Sequence, residues 1–306
     1  MRIGTFLAEP EGLDALGALA DQLRVAAEDG FASAWMSQIF GLDALTALAA
    51  AGREVPGIEL GTAVVPTYPR HPAMLAQQAL TANLAVGGRL ALGIGLSHQI
   101  VIENMYGYSF DKPARHMREY LEVLLPLIAG DPANFDGATV HAHIGLSLPR
   151  SPRKLPVLLA ALAPRMLRLA GERADGTVLW MTGPATVRDY VMPSITAAAA
   201  GAGRPTPRVV CALPVCVTDD PVQARADADK AFAIYGQLPS YRAMLDREGA
   251  AGPGGVVIAG DEAAVGAQIR SLAEAGVTDF VAAEYARGPA GPRTRMFLRS
   301  LIAEFG

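Results

Sequence analysis

Four histidines sit where their surroundings bear on chemistry. His98 follows a strand-like run ending Gly93-Ile94-Gly95-Leu96-Ser97, and an imidazole with a pKa near 6.5 gains or loses a proton at physiological pH. Proton handling, a contact to a cofactor hydroxyl and a structural hydrogen bond all fit it there. Glu103 can orient that ring or act as an acid itself, and it equally suits a solvent-facing or helix-pairing carboxylate. His71, in Arg70-His71-Pro72, suits a helix cap or a backbone pairing. His141 and His143 flank Ala142 and so share one strand face, as two metal ligands can. No cluster of Cys, Asp or Glu adjoins them in sequence, so exposed imidazoles and no metal site are expected.

Other residue types invite a ligand by what they lack. Gly93 and Gly95 have no side chains, so backbone there can come close to a flat ring or a phosphate, although sharp turns use Gly-x-Gly equally. Leu162 and Ala163 precede Pro164, which suits the first position of a helix. Their N–H groups can therefore meet an anion at that helix's N-terminus, although many helices begin Ala-Pro with no ligand. Thr182 and Gly183 can add a hydroxyl and backbone donors to the same anion. Tyr106-Gly107-Tyr108, with Phe110, can wall a substrate pocket or simply pack a long loop down.

These groups need elements to hold them. Short β-branched or apolar runs alternate with longer helical patterns, the mark of βα units on a parallel sheet. Strands are expected over residues 3–7, 32–37, 58–65, 89–95, 156–161, 177–180, 208–217 and 278–284. Helices follow them, the first over residues 13–29 and closed by Gly30. Eight such units point to a closed (β/α)8 TIM barrel in one domain, 1–306, with insertions at about 97–113, 131–150 and 236–260. Asp136-Gly137 and the alternation that follows make the second insertion a hairpin, and the third is a lid or a subunit contact. An open doubly wound sheet is the alternative, but no early strand runs into a Gly-x-Gly-x-x-Gly turn. A barrel gathers its site where strand C-termini feed their loops, so Phe6, Ser37, Val64, Gly95, Ala161 and Trp180 should ring one mouth.

Composition narrows the function classes. The hydrophobic fraction of 51% and net charge of -4 describe a globular chain with no field to attract polyanions, so nucleic acid is not an expected partner. The N-terminus reaches Glu9 and Pro10 before an apolar run of signal-peptide length develops, and longer apolar stretches are broken by Gly, Pro or charge. A soluble cytoplasmic protein, with no membrane partner, is expected. Cys211 and Cys216 lie on opposite faces of one strand and should stay reduced.

The runs Gly61-Thr62-Ala63-Val64-Val65-Pro66-Thr67-Tyr68-Pro69-Arg70-His71-Pro72 and Gly88-Arg89-Leu90-Ala91-Leu92-Gly93-Ile94-Gly95 resemble the luciferase-like monooxygenase superfamily. So do Pro156 to Leu167 and Ala170 to Gly176, in the same order along almost the whole chain. The segment from Ser97 to Gly107 is most similar to the branch that uses coenzyme F420, a deazaflavin, in place of FMN. The resemblance implies a non-prolyl cis peptide at Thr62-Ala63 or Ala63-Val64 behind the cofactor ring, and phosphate at the helix after Ala161-Leu162-Ala163. It also implies a homodimer or higher homo-oligomer.

One departure bears on direction. Sugar-phosphate dehydrogenases of that branch carry an Asp-His pair after the second strand, where this chain has Gln38-Ile39, and neither residue is a base at neutral pH. A reductase acting on a small organic substrate with an activated C=C, C=N or C=O is therefore expected, with His98, Tyr106 or a water supplying the proton. Ser37, Gln38 and Ile39 would line the substrate side of the mouth. An FMN-dependent monooxygenase and a non-catalytic coenzyme-binding protein are the alternatives.

Overall fold

The computed structural model describes residues 1–286 and 288–305. In chain order the strands are β1 (Arg2–Phe6), β2 (Ser33–Met36), β3 (Glu59–Thr62), β4 (Val65–Pro66), β5 (Leu90–Gly95) and β6 (Ala133–Asp136). They continue as β7 (His141–Ile144), β8 (Val157–Ala160), β9 (Gly176–Trp180), β10 (Arg208–Val217), β11 (Ile258–Gly260) and β12 (Asp279–Glu284). Parallel pairing runs β1–β2–β3–β5–β8–β9–β10–β12 and returns to β1, so eight strands close a barrel. Closure rules out the open sheet. All six residues of β5 are buried, as expected for a parallel strand covered on both faces.

The apolar core has two layers. Trp35, Ala91, Leu158, Val178, Val210, Ala212 and Val281 fill the barrel interior, while a larger set of Leu, Ile, Val and Ala packs strands against the surrounding helices. Trp35 is fully buried, and its indole Nε1 donates to Ser33 Oγ at 2.9 Å. At the N-terminal end of the barrel Arg208 joins Asp279, at 2.8 Å, to Glu59, and its guanidinium lies 5.5 Å from the Trp35 ring. Burial disfavours the Asp279 carboxylate, but hydrogen bonds and charge from Arg208, with Arg2 beside it, hold its pKa below the ordinary value.

Three segments differ from the sequence expectation. The third strand is not continuous over 58–65: it stops at Thr62, passes a cis Ala63-Val64 peptide and resumes as β4, which pairs with β5. The loop at 97–113 contains a π-helical turn, Ile100–Met105. β11 lies inside the third insertion, because the ten-residue β10 outruns its barrel partners and pairs Val215–Val217 with Ile258–Gly260. The hairpin forms as expected, Ala133 opposite Ile144 and Asp136 opposite His141. Cys211 and Cys216 both lie in β10 and are free. No helix among the described residues is long and apolar enough to cross a membrane.

Candidate active site

The C-terminal rim of the barrel brings together residues far apart in sequence. Phe6 ends β1 and Trp180 ends β9, and their rings lie 5.8 Å apart. Ala63 and Val64 join both of them over the interior cluster. The Ala63-Val64 segment bulges toward β5, and the glycines of β5 make room for it. A Cβ on Gly93 would stand 2.0 Å from the Thr62 carbonyl oxygen, and one on Gly95 would stand 2.7 Å from Val64 Cγ2. Gly93 and Gly95 thus admit the chain's own bulge before any ligand. Thr62 is fully buried, and its hydroxyl donates to Gly93 O at 2.8 Å while accepting from Gly93 N at 2.9 Å. Its side chain is scaffold, leaving Ala63 and Val64 as the half-buried residues of this segment.

Behind the bulge sits a polar aromatic stack that the sequence did not suggest. His116 Nε2 lies 3.0 Å from Thr67 Oγ1, its ring stacks on Tyr68 at 4.0 Å, and Tyr120 and Phe110 extend the cluster. Burial drives the His116 pKa down to about 4, against the opposing charge of Glu119. Burial, with the charges of Asp111 and Glu103 added, pushes the Tyr68 phenol up to about 12.

His98 lies just past β5, after Ser97, whose φ of 60° is in the left-handed region. Trp180 is followed by Met181, with φ 51°. Such backbone costs a non-glycine residue on the order of 1 kcal/mol and concentrates at functional sites. The His98 carbonyl accepts from Val101 and Ile102, starting the π turn, while its ring makes no hydrogen bond among the described residues. Burial lowers the His98 pKa, so the ring is neutral at pH 7. Glu103 does not orient it: the carboxylate accepts from Gln99 Nε2 at 2.9 Å and from Phe110 N at 3.3 Å, bracing the loop. Tyr106 is 41% exposed and Ile39 54%. Gln38 is tied to the next helix, donating to Asp43 and accepting from Ala44 N at 3.2 Å, whereas Ser37 is half-buried at the rim.

The helix Pro164–Arg173 begins just past β8 with Ala163 at its cap and no side chain capping it. Among the described residues the amides of Leu162 and Ala163 have no acceptor. Ala161 is buried beneath them. The second proposed donor pair behaves differently. Thr182 is fully buried, and its hydroxyl donates to Trp180 O at 3.1 Å. The amides beyond Gly183 are taken by Glu248, whose carboxylate accepts from Ala185 N at 3.1 Å and Thr186 N at 2.7 Å. A Cβ on Gly183 would meet that carboxyl carbon at 2.3 Å. The turn just past Gly183 therefore holds the protein's own carboxylate, which the third insertion supplies and local sequence cannot reveal.

The same insertion contributes the residues that sequence reasoning missed. Phe232, Tyr235 and Tyr241 lie on or beside the helices Pro221–Ala231, Ala233–Gln237 and Pro239–Glu248. Trp180 meets Phe232 and Tyr235 edge-on, each at 5.8 Å; Tyr235 meets Tyr241 at 5.0 Å; Tyr241 meets His98 at 5.7 Å. An aromatic arc thus runs from Phe6 to His98. Three aromatic residues within ten positions, in a chain with only 6% aromatics, were the available signal. His71 caps its helix, accepting from Ala73 N at 3.3 Å, and its other ring nitrogen meets His141 O. His141 and His143 are exposed and both face Asp136, at 3.5 and 3.1 Å.

With this geometry in hand, comparison with known proteins is decisive for the family. Residues 1–290 match the luciferase-like monooxygenase family. The chain belongs to that family, and it is an oxidoreductase. A 5,10-methylenetetrahydromethanopterin reductase of Archaeoglobus fulgidus is 30% identical over 235 residues, 74% of this chain and 68% of the relative. An F420-dependent glucose-6-phosphate dehydrogenase of Nocardia farcinica is 31% identical over 210 residues, 65% of this chain and 58% of the relative. The solved coenzyme F420-dependent tetrahydromethanopterin reductase of Methanopyrus kandleri superposes with a TM-score of 0.81 at 23% identity, covering 99% of each chain. The family's luciferase-like barrel is the fold described above.

Proposed function

We propose that the barrel mouth binds reduced coenzyme F420 and that the protein uses it to reduce an activated C=C, C=N or C=O bond of a small organic molecule. The observation that carries this reading is the pair of amides at Leu162 and Ala163, free of protein acceptors on the rim strand beside β5 and the Ala63-Val64 bulge. Two N–H groups at the N-terminus of a ten-residue helix suit the coenzyme's phosphate, and the bulge offers an apolar back to a flat ring. The kinship with F420-dependent relatives supports the same cofactor. When bound, the coenzyme supplies a hydride.

This chain's residues then have to hold, orient, exclude water and manage a proton. Leu162 and Ala163 hold the phosphate, Ala63 and Val64 support the ring, and Phe6 and Trp180 shield the mouth. His98, neutral through burial, offers one N–H donor and one acceptor. Gln38 and Ile39 supply no base after β2, and Gln38 is already committed to Asp43 and Ala44. A proton-abstracting route at that position is thus absent, which favours reduction over oxidation of an alcohol.

Titration of the protein with oxidised F420, with FMN in parallel, tests this through fluorescence quenching or polarisation. Saturable binding selective for F420, followed by coenzyme oxidation when an enone or imine is added, is the expected result. Selective binding of FMN would move the protein to the monooxygenases, and F420 binding with no acceptor reduced would make it a carrier.

A further inference from the structure

We propose that Tyr241 is the residue that recognises the substrate, donating its phenolic hydrogen to a carbonyl or imine atom, and that the arc of Phe6, Trp180, Tyr235 and Tyr241 selects an uncharged, planar, conjugated molecule. The inference rests on the proposed hydride-transfer reading for its place in catalysis, but its binding step stands on this chain alone.

The geometry comes first. Tyr241 is the link between the insertion and the loop past β5, its ring 5.0 Å from Tyr235 and 5.7 Å from His98. Among the described residues its hydroxyl makes no hydrogen bond, and neither does the His98 ring. Two neutral hydrogen-bonding groups therefore stand side by side at the rim without protein partners. Both residues are half-buried at the rim, so a ligand heteroatom that accepts from Tyr241 would take the place of solvent there. Burial raises the Tyr241 pKa and lowers that of His98, which keeps both uncharged at pH 7.

Charge and shape then define the class. Charged groups of the insertion are committed elsewhere: Glu248 to Ala185 and Thr186, Arg242 to Asp246 and the carbonyls of Ala250 and Ala251, Arg247 to the face of Tyr190. A carboxylate set against the arc would lose its hydration with no cation to replace it, a cost of several kcal/mol. An uncharged conjugated plane gains instead, because edge and offset contacts with aromatic rings add about 0.5 to 1.5 kcal/mol each beyond burial.

The test uses the coenzyme-free protein, benzalacetone as an uncharged aryl enone and cinnamate as its anionic counterpart, read by quenching of tryptophan emission. Expected are saturable quenching by benzalacetone, loss of that signal in Trp180→Phe, and binding about tenfold weaker in Tyr241→Phe, the worth of one hydrogen bond. Cinnamate should bind at least tenfold more weakly than benzalacetone. Unchanged affinity in Tyr241→Phe, equal binding of cinnamate, or no binding of the enone would each overturn the proposal. F420 titration of Tyr241→Phe runs alongside and should give the wild-type Kd. Failure of F420 to bind the wild type, with enone binding intact, would remove the hydride reading and leave the recognition by Tyr241 standing.

Discussion

Glu248 accepts two hydrogen bonds from Thr186, from the amide at 2.7 Å and the hydroxyl at 2.6 Å. It ends the helix that carries Tyr241, so this contact fastens the aromatic insertion to the turn after β9. The Glu248→Ala variant leaves the amides of Ala185 and Thr186 without their acceptor. Hydrogen bonds to a charged group are worth about 1.5 to 3 kcal/mol each before relaxation and water offset part of the loss. A drop of about 2 to 3 kcal/mol in urea unfolding is expected, with a red shift of tryptophan emission as Trp180 loses its cover. A variant with wild-type emission would mean that the insertion holds its place without Glu248.

The free amide of Ala163 can be removed almost without touching the fold. Its φ of -79° is within the range proline adopts, and no protein acceptor is lost because its N–H has none among the described residues. Ala163→Pro should keep unfolding free energy within about 0.5 kcal/mol of wild type. It should raise the Kd for F420 about tenfold, since one charge-assisted hydrogen bond to phosphate disappears. Equal F420 affinity in a well-folded Ala163→Pro protein would place the phosphate elsewhere.

What sequence could reveal divides along contact range. Alternating strands and helices fixed the eight-stranded closure because each βα unit is written locally, and Pro164 after Leu162 and Ala163 marked a helix start for the same reason. Thr182 and Gly183 looked like anion donors by the same local logic. The Thr182 hydroxyl is turned back to Trp180 O, and the amides just beyond, at Ala185 and Thr186, are taken by Glu248, more than sixty positions away, which only the folded insertion shows. Gly93 and Gly95 were visible as backbone openings, but their occupant is Val64 and the Thr62 carbonyl, set by how β3 breaks. His116 drew no attention in a helix of mixed character, since its value comes from stacking on Tyr68, forty-eight positions earlier.

Gly93 tests whether the bulge is needed for the coenzyme. An added methyl at residue 93 would stand 2.0 Å from the Thr62 carbonyl, far inside contact distance, and backbone must move to relieve it. Overpacking of this kind costs about 1 to 3 kcal/mol, and the segment that has to yield is the one holding Ala63 and Val64. Gly93→Ala should therefore lose F420 affinity by tenfold or more while remaining folded by circular dichroism. Gly201, with open space where a Cβ would be, is the matched control: Gly201→Ala should bind F420 as wild type does.

His116 gives the protein a stability that depends on pH. Its ring is stacked on Tyr68 at 4.0 Å and bonded to Thr67, and burial lowers its pKa from 6.5 to about 4. In the unfolded chain the imidazole takes up a proton near pH 6.5, while in the folded chain it resists until about pH 4. Between those values the unfolded state binds more protons, so stability falls as pH drops from 6.5 toward 4 and is unaffected by this group above 6.5. The full span is at most about 3 to 4 kcal/mol, at 1.36 kcal/mol per unit, and residual solvent access makes it smaller. His116→Gln keeps a partner for Thr67 and has no proton to gain. Urea midpoints of wild type and His116→Gln should therefore converge as pH falls from 7 to 4.5, with the wild type showing the steeper decline. Parallel curves would show that His116 titrates normally and that its stacking on Tyr68 opens to water. A convergent pair would show that the folded ring stays neutral over this interval and so keeps its bond to Thr67, whose amide donates to Gly95 at 2.9 Å, and F420 affinity of the folded wild type should then be as flat between pH 7 and 5 as that of His116→Gln.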